Sequence, residues 1–174
     1  MATGIRVLIR RCVCAGAAVL MAANAVPAPA AEIAVLPLER PETLGTRIGA
    51  DSTSKTDGDA AIRIVTQWPT VLNIGEVATG PVAPATLVFE ADVRSEGLSG
   101  QAYLELWCHF PGQGQYFGRG LDSTVSGSGD WKRLRARFIL QAGQQPSKVT
   151  LNLVIQGAGT VWIDRARLLR EPPP

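Results

Sequence analysis

Residues 101–117 read QAYLELWCHFPGQGQYF, and the first ten of them decide the fold. Ala102, Leu104, Leu106, Cys108 and Phe110 alternate with Gln101, Tyr103, Glu105, Trp107 and His109. A period of two belongs to an extended strand whose successive side chains point to opposite faces. One face is apolar and calls for a core; the other mixes aromatic rings with polar groups. PGQGQ (111–115) then gives a turn, because Gly112 and Gly114 tolerate positive φ and close backbone approach. Tyr116 and Phe117 follow it, and alternation sends one of them outward; Tyr116 is taken as that one. Five of the chain's ten aromatic residues lie in this stretch, together with its single histidine.

The same period recurs on both sides. AAIRIVT (60–66) buries Ile62 and Ile64, and ATLVFEADVR (85–94) sets Leu87, Phe89, Ala91 and Val93 against Glu90, Asp92 and Arg94. In WKRLRARFIL (131–140), Leu134, Ala136, Phe138 and Leu140 oppose Arg133, Arg135 and Arg137. Val149, Leu151, Leu153 and Ile155 alternate through 147–156, GTVWIDRARLL (159–169) makes a last strand, and 69–77 and 114–121 add two weaker ones. Nowhere does apolar spacing of 3.6 persist for more than a turn. About eight one-sided strands, separated by Gly, Pro, Asp and Ser clusters, predict an all-β protein: a two-sheet antiparallel β-sandwich with jelly-roll topology. One domain is expected over 43–170, after an exposed lead-in at 31–42. EPPP ends the chain as a tail at 171–174, since proline offers no N–H to a ladder.

Residues 1–30 are set apart. MATGIRVLIRR carries Arg6, Arg10 and Arg11 without an acid, a short apolar run follows, and small residues with proline close the stretch at APA. That is the pattern of a secretory signal peptide, and a periplasmic or secreted location is expected after its cleavage. The apolar run is short of the ~20 residues that span a bilayer, so no membrane span is expected in the mature chain. Removing the leader takes three of seventeen basic residues and none of fifteen acids, leaving a net charge of about −1. A nucleic-acid partner then lacks its electrostatic motive. Cys12 and Cys14 go as well, so Cys108 has no internal disulfide partner.

Three short segments resemble carbohydrate-binding modules with the galactose-binding-domain-like jelly-roll fold. GTVWIDRARLL (159–169) is similar to their closing strand, with its G-x-V-x-I/V-D pattern. SGDWKRLRARFIL and the following QAG (128–143) resemble the strand and turn before it, and DGDAAIRIV (57–65) an early strand. The resemblance implies that 60–66, 159–168, 85–94 and 131–140 share one sheet, and that 69–77, 147–156, 101–110 and 114–121 share the other.

On the first sheet, Glu90 and Asp92 would then lie beside Arg133, Arg135, Arg137, Arg165 and Arg167. That is either a ladder of cross-strand ion pairs or a surplus of arginine facing an anionic ligand. On the second, Tyr103, Glu105, Trp107 and His109 would stand outward beside Asn152 and Gln156. Exposed aromatic rings on one strand need a cover. A sugar ring supplies one, its C–H face on the rings and its hydroxyls on the polar groups; so does a loop, the segment 31–45 or a partner chain. The family often holds a structural calcium ion on the aspartate of the closing strand, here Asp164, which Asp57 and Asp59 would approach if first and last strands are neighbours. Where the family often has a second acid directly afterwards, this chain has Arg165. The other reading has Asp164 capping a turn or pairing with an arginine.

No catalytic residue is assigned. A glycosidase needs two carboxyl groups ~5–10 Å apart across a cleft, and the candidate face offers Glu105 alone. No GxSxG elbow, phosphate loop or metal-ligand cluster is present. The expected function is that of a non-catalytic, exported carbohydrate-binding-like module. It would need no cofactor beyond the structural calcium, and its ligand-binding residues would be Tyr103, Glu105, Trp107, His109, Tyr116, Asn152 and Gln156. The expected partner is a glycan or glycoconjugate. The alternative is a structural or protein–protein interaction domain of an envelope or secreted assembly, with another envelope protein on the same patch.

Overall fold

A computed structural model describes residues 30–35, 46–80 and 84–174. The leader expected over 1–30 lies, apart from Ala30, outside these residues, as does the 36–42 part of the lead-in. Among the described residues there are nine strands: β1 Ala31–Val35, β2 Thr46–Asp51, β3 Ala61–Thr66, β4 Thr70–Ala78, β5 Ala85–Phe110, β6 Gly114–Arg119, β7 Val125–Leu140, β8 Lys148–Gln156 and β9 Gly159–Glu171. Every pairing among them is antiparallel.

Two layers form from these strands. The first runs β2-β3-β9, continues to the N-terminal half of β5 and ends on β7. The second runs β4-β8, continues to the C-terminal half of β5 and ends on β6. Both orders match the expected sheets. The expected strands at 85–94 and 101–110 are one strand of 26 residues. It crosses from layer to layer through irregular pairing between Val93 and Gln101, where Gly97 adopts a φ of 61°. Bulges of this kind bend and twist a strand without ending its ladder. β7 follows the bend and pairs with β5 from Ala85 to Ala102.

Parity holds along both halves of β5. Leu87, Phe89 and Val93 from one layer and Leu104, Leu106 and Cys108 from the other are fully buried in a common core. Leu134 of β7, Leu151, Leu153 and Ile155 of β8, and Ile163 and Leu168 of β9 complete it. Burial pushes the Cys108 thiol up to about 12, so it stays protonated as a small apolar filler. The second layer leans directly on the first at β6. A Cβ added to Gly118 would lie 2.0 Å from the carbonyl oxygen of Arg137, and one on Gly120 2.2 Å from that of Arg135. Only glycine allows so close an approach.

Two segments depart from the sequence reading. Thr46–Asp51 is a strand that the sequence did not suggest; Gly49 interrupts its short alternation. Ala31–Val35, expected as exposed lead-in, pairs with the C-terminal part of β9, because β3 leaves that edge free beyond Ile163. Among the described residues no helix is long and apolar enough to cross a membrane.

Candidate functional site

The outer face of the second layer is built row by row from strand register. Paired residues share a face, so Gln115 of β6, His109 of β5 and Lys148 of β8 form one row. Phe117, Trp107, Thr150 and Glu76 form the next. Arg119, Glu105, Asn152 and Asn73 form the third, and Tyr103, Val154 and Val71 the fourth. A shallow open depression of about 230 Å³ lies over this face, lined by Trp107, His109, Gln115, Thr150 and Asn152.

Glu105 is the polar centre of the face, although only 5% exposed. It accepts from Trp107 Nε1 at 2.6 Å, from Arg119 Nε at 2.7 Å and from Asn152 Nδ2 at 3.5 Å. The Trp107 indole is thereby fixed, and the Phe117 ring packs on it at 4.9 Å between centroids. Arg119 in turn lies 4.5 Å over the Phe117 ring, and Glu105 holds its guanidinium more firmly protonated. A second network runs along the adjacent rows. His109 Nε2 and Thr150 Oγ1 are 2.7 Å apart, Thr150 Oγ1 donates to Glu76 at 3.1 Å, and Lys148 Nζ reaches both Glu76 oxygens at 2.9 Å. The Lys148 ammonium holds the Glu76 carboxyl below the usual carboxylate range. Glu76 is thus a second carboxylate on the face, which the sequence reading did not place there. Both carboxylates are engaged by cations and hydrogen-bond donors.

Of the expected ligand-binding residues, Trp107, His109 and Asn152 line the depression, and Glu105 lies beneath them. Tyr103 and Gln156 are at the far end and face each other, with Gln156 Nε2 3.4 Å from the Tyr103 hydroxyl. Tyr103 is only 3% exposed, so it braces the face and offers no open ring. Tyr116 is on the other face: it pairs with Cys108, whose side chain points inward, and its ring meets Phe110 edge-on at 5.8 Å. Phe110 pairs with Gly114, which leaves a three-residue turn. That register brings Gln115, Phe117 and Arg119 onto the Trp107 face in place of Tyr116.

Asp164 lies beside the 52–60 loop, and its carboxylate is occupied by donors. Thr56 N, Thr56 Oγ1 and Asp57 N donate to one oxygen at 2.7, 2.9 and 3.0 Å, and Arg165 N donates to the other at 2.8 Å. Calcium seeks six to eight oxygens; this carboxylate meets three N–H groups and a hydroxyl. Asp57 accepts from Gly58 N and is 3.9 Å from Arg165, while the Asp59 carbonyl accepts from Lys55. Among the described residues no group of three or more His, Cys, Asp and Glu is placed to hold a metal ion. The donor set does not fit calcium.

Four arginines of the first layer form the ion-pair ladder, and Arg137 shows no ion pair among the described residues. Arg133 binds Asp92 through Nε and Nη2 at 2.9 and 3.1 Å, and Arg167 reaches Glu90 at 2.6 Å. Arg135 bridges Glu90 and Glu171. Arg165, at a φ of 51° in a bulge of β9, is 3.7 Å from Asp92.

No protein-family model and no curated protein matches the sequence. Solved structures do match the architecture. The CBM22-1 xylan-binding domain from Paenibacillus barcinonensis Xyn10C aligns with a TM-score of 0.50 at 11% identity, over 76% of this chain and 85% of that one. The fold is that of the β-sandwich carbohydrate-binding modules. The CBM22-1–GH10 modules of Clostridium thermocellum xylanase 10B, solved with xylohexaose, align at 0.52 and 10% identity over 75% of this chain. The enzymatically active domain of bacteriophage CBA120 tailspike protein 4 aligns at 0.52 and 5% identity over 80% of this chain. This chain spans 25% and 19% of those two. At such identities the likeness is one of fold.

Proposed function

We propose that this chain is an exported, non-catalytic carbohydrate-binding-like module that takes a neutral glycan on the outer face of the second layer. One observation carries the reading: the half-buried Trp107 indole, fixed by Glu105 and Phe117, forms a wall of an open depression whose other walls are His109, Gln115, Thr150 and Asn152. An aromatic plane beside amide, hydroxyl and imidazole groups is the composition a pyranose requires. The likeness to carbohydrate-binding modules supports it, and so does the signal-like pattern of residues 1–30 for export. The carboxylates of Glu105 and Glu76 are tied to Arg119 and Lys148, which argues for binding over acid–base chemistry.

A glycan array with the purified protein tests the reading. Selective retention on a neutral glycan is expected, together with its loss in Trp107→Ala at an unchanged melting temperature. Retention by that variant equal to wild type overturns it. The second reading, a structural or protein–protein domain of an envelope or secreted assembly, rests on the exposed Val71 in the fourth row of the same face and on the exposed Trp68 of the turn before β4. Elution as a stable dimer or complex with Trp107 shielded from quenchers favours that reading.

A further inference from the structure

On the outer side of the first layer most arginines meet acids, and Arg137 of β7, Arg47 and Arg63 show no ion pair among the described residues. Arg133, Arg135, Arg165 and Arg167 all face acids. Arg47 and Arg63 lie near the free edge of that layer. Arg47 pairs with Val65 and Gly49 with Arg63, so Arg47, Gly49 and Arg63 share the solvent side while Ile48, Ile62 and Ile64 turn to the core. Gly49 leaves open space on that side of β2: a Cβ built there meets no atom within 4 Å. A depression of about 210 Å³ lies there, lined by Arg47, Ile48, Gly49, Ala50 and Arg63.

Arg63 is pre-positioned. Its guanidinium carbon is 5.5 Å from the centroid of Trp162, the residue opposite it on β9. Arg94 flanks the same ring at 4.8 Å, and the indole Nε1 donates to Asp51 at 2.9 Å. Trp162 is buried and held by that hydrogen bond. The nearby acid is already committed. Asp51 also accepts from Thr53 Oγ1 at 2.7 Å, Thr53 N at 2.9 Å and Ser54 N at 3.0 Å. The Thr53 hydroxyl, followed by the Trp162 indole, holds its carboxyl well below the usual range. Stacking on Trp162 leaves the N–H groups of Arg63 free to donate.

We propose that Arg47 and Arg63 form an oxyanion site, separate from the Trp107 face, for a carboxylate, sulfate or phosphate group carried on a saccharide, the saccharide resting on the carbohydrate-binding reading above. Two permanently charged, planar donors lining one depression suit an oxyanion, which accepts forked hydrogen bonds. A neutral sugar gains little from them.

The test is NMR of the 15N-labelled full chain, following the Arg Nε–H and Trp indole signals. The titrants are an oligogalacturonate, a neutral galacto-oligosaccharide, inorganic sulfate and inorganic phosphate. Saturable shifts of Arg47, Arg63 and Trp162 with oligogalacturonate, absent with the neutral sugar, are expected. Arg47→Gln/Arg63→Gln should lose about tenfold or more in affinity at unchanged melting temperature. Gly49→Glu should lose as much by filling the depression with its own carboxylate, and its open surroundings tolerate the side chain. Signals that stay still with every anion, or variants that bind like wild type, overturn the site. Response to the inorganic ions alone overturns its saccharide part. Variants that merely self-associate, with no anion response in wild type, assign the two arginines to protection of the β2 edge.

Discussion

At the scale of single residues, Glu105 is the most constrained charge on the candidate face. Glu105→Ala strips the half-buried Trp107 Nε1 and the more exposed Arg119 of their acceptor, and losing a hydrogen bond to a charged group costs about 1.5–3 kcal/mol before solvent makes good part of it. A lower urea midpoint at unchanged slope is the expected result, with a smaller loss for Glu105→Gln, which keeps one acceptor oxygen. Asp164 makes a prediction about acid. Burial disfavours its charge, but the donors from Thr56, Asp57 and Arg165 outweigh burial and lower its pKa from 3.8. A group with a depressed folded pKa stabilises the protein above its unfolded value, and that contribution is lost as pH falls through the folded one. Asp164→Asn should therefore lower the melting temperature near neutrality and flatten its fall below about pH 4. Because N–H donors occupy that carboxylate, excess calcium and a chelator should give the same melting temperature; a calcium-dependent rise would mean oxygen ligands gather there. The residues of the candidate site were partly legible. Alternation alone carried Glu105, Trp107 and His109 to one face, since parity along a strand needs no partner, while Asn152 joined them only through the sheet order that the resemblance implied. Tyr116 could not be placed that way. The number of residues in the 111–113 turn sets the parity of the returning strand, and a turn one residue longer or shorter would have exchanged Tyr116 with Phe117. The burial of Tyr103 depends on Gln156 and Val154 across the sheet, which no single strand reveals.

Among the elements, β5 and β6 position the site. β5 was read as two strands because Ser95, Gly97, Ser99 and Gly100 look like punctuation. The ladder survives them because β7 supplies its own glycines, Gly127 and Gly129, opposite the bend. That the strands close into layers was legible for a simpler reason, since each has one continuous apolar face and such faces close only on one another; which strands share a layer came from the resemblance to the galactose-binding-domain-like modules. β2 escaped notice since a six-residue strand with a central glycine has too little alternation to register. β6 brings the next test. Gly118 lies against the Arg137 carbonyl, and any side chain there must push β6 away from β7. Phe117 and Arg119 flank Gly118 and would move with it. Gly118→Ala should cost roughly 1–3 kcal/mol as overpacking and weaken glycan retention through loss of the Phe117–Trp107 contact. Urea unfolding and the array measure the two effects separately; an unchanged midpoint would mean that β6 yields freely.

For the molecule as a whole, the two outer faces differ in kind, and that difference can be measured. The Trp107 face neutralises its own charges: Glu105 with Arg119, and Glu76 with Lys148. Binding there would rest on ring contact and neutral hydrogen bonds, which salt hardly screens. The first layer pairs most of its arginines but leaves Arg47 and Arg63 at one edge, where attraction to an anion is screened over about 10 Å at 0.1 M salt. An acidic glycan should therefore bind in two components. Raising the salt tenfold should weaken only the one that Arg47→Gln/Arg63→Gln removes, while Trp107→Ala should remove only the salt-insensitive one. Contributions from faces on opposite layers that share no partner should add. Calorimetric titration of the three proteins at two salt concentrations decides the matter. If both variants abolish the same component, the faces act as one site, and the separation of binding by layer fails.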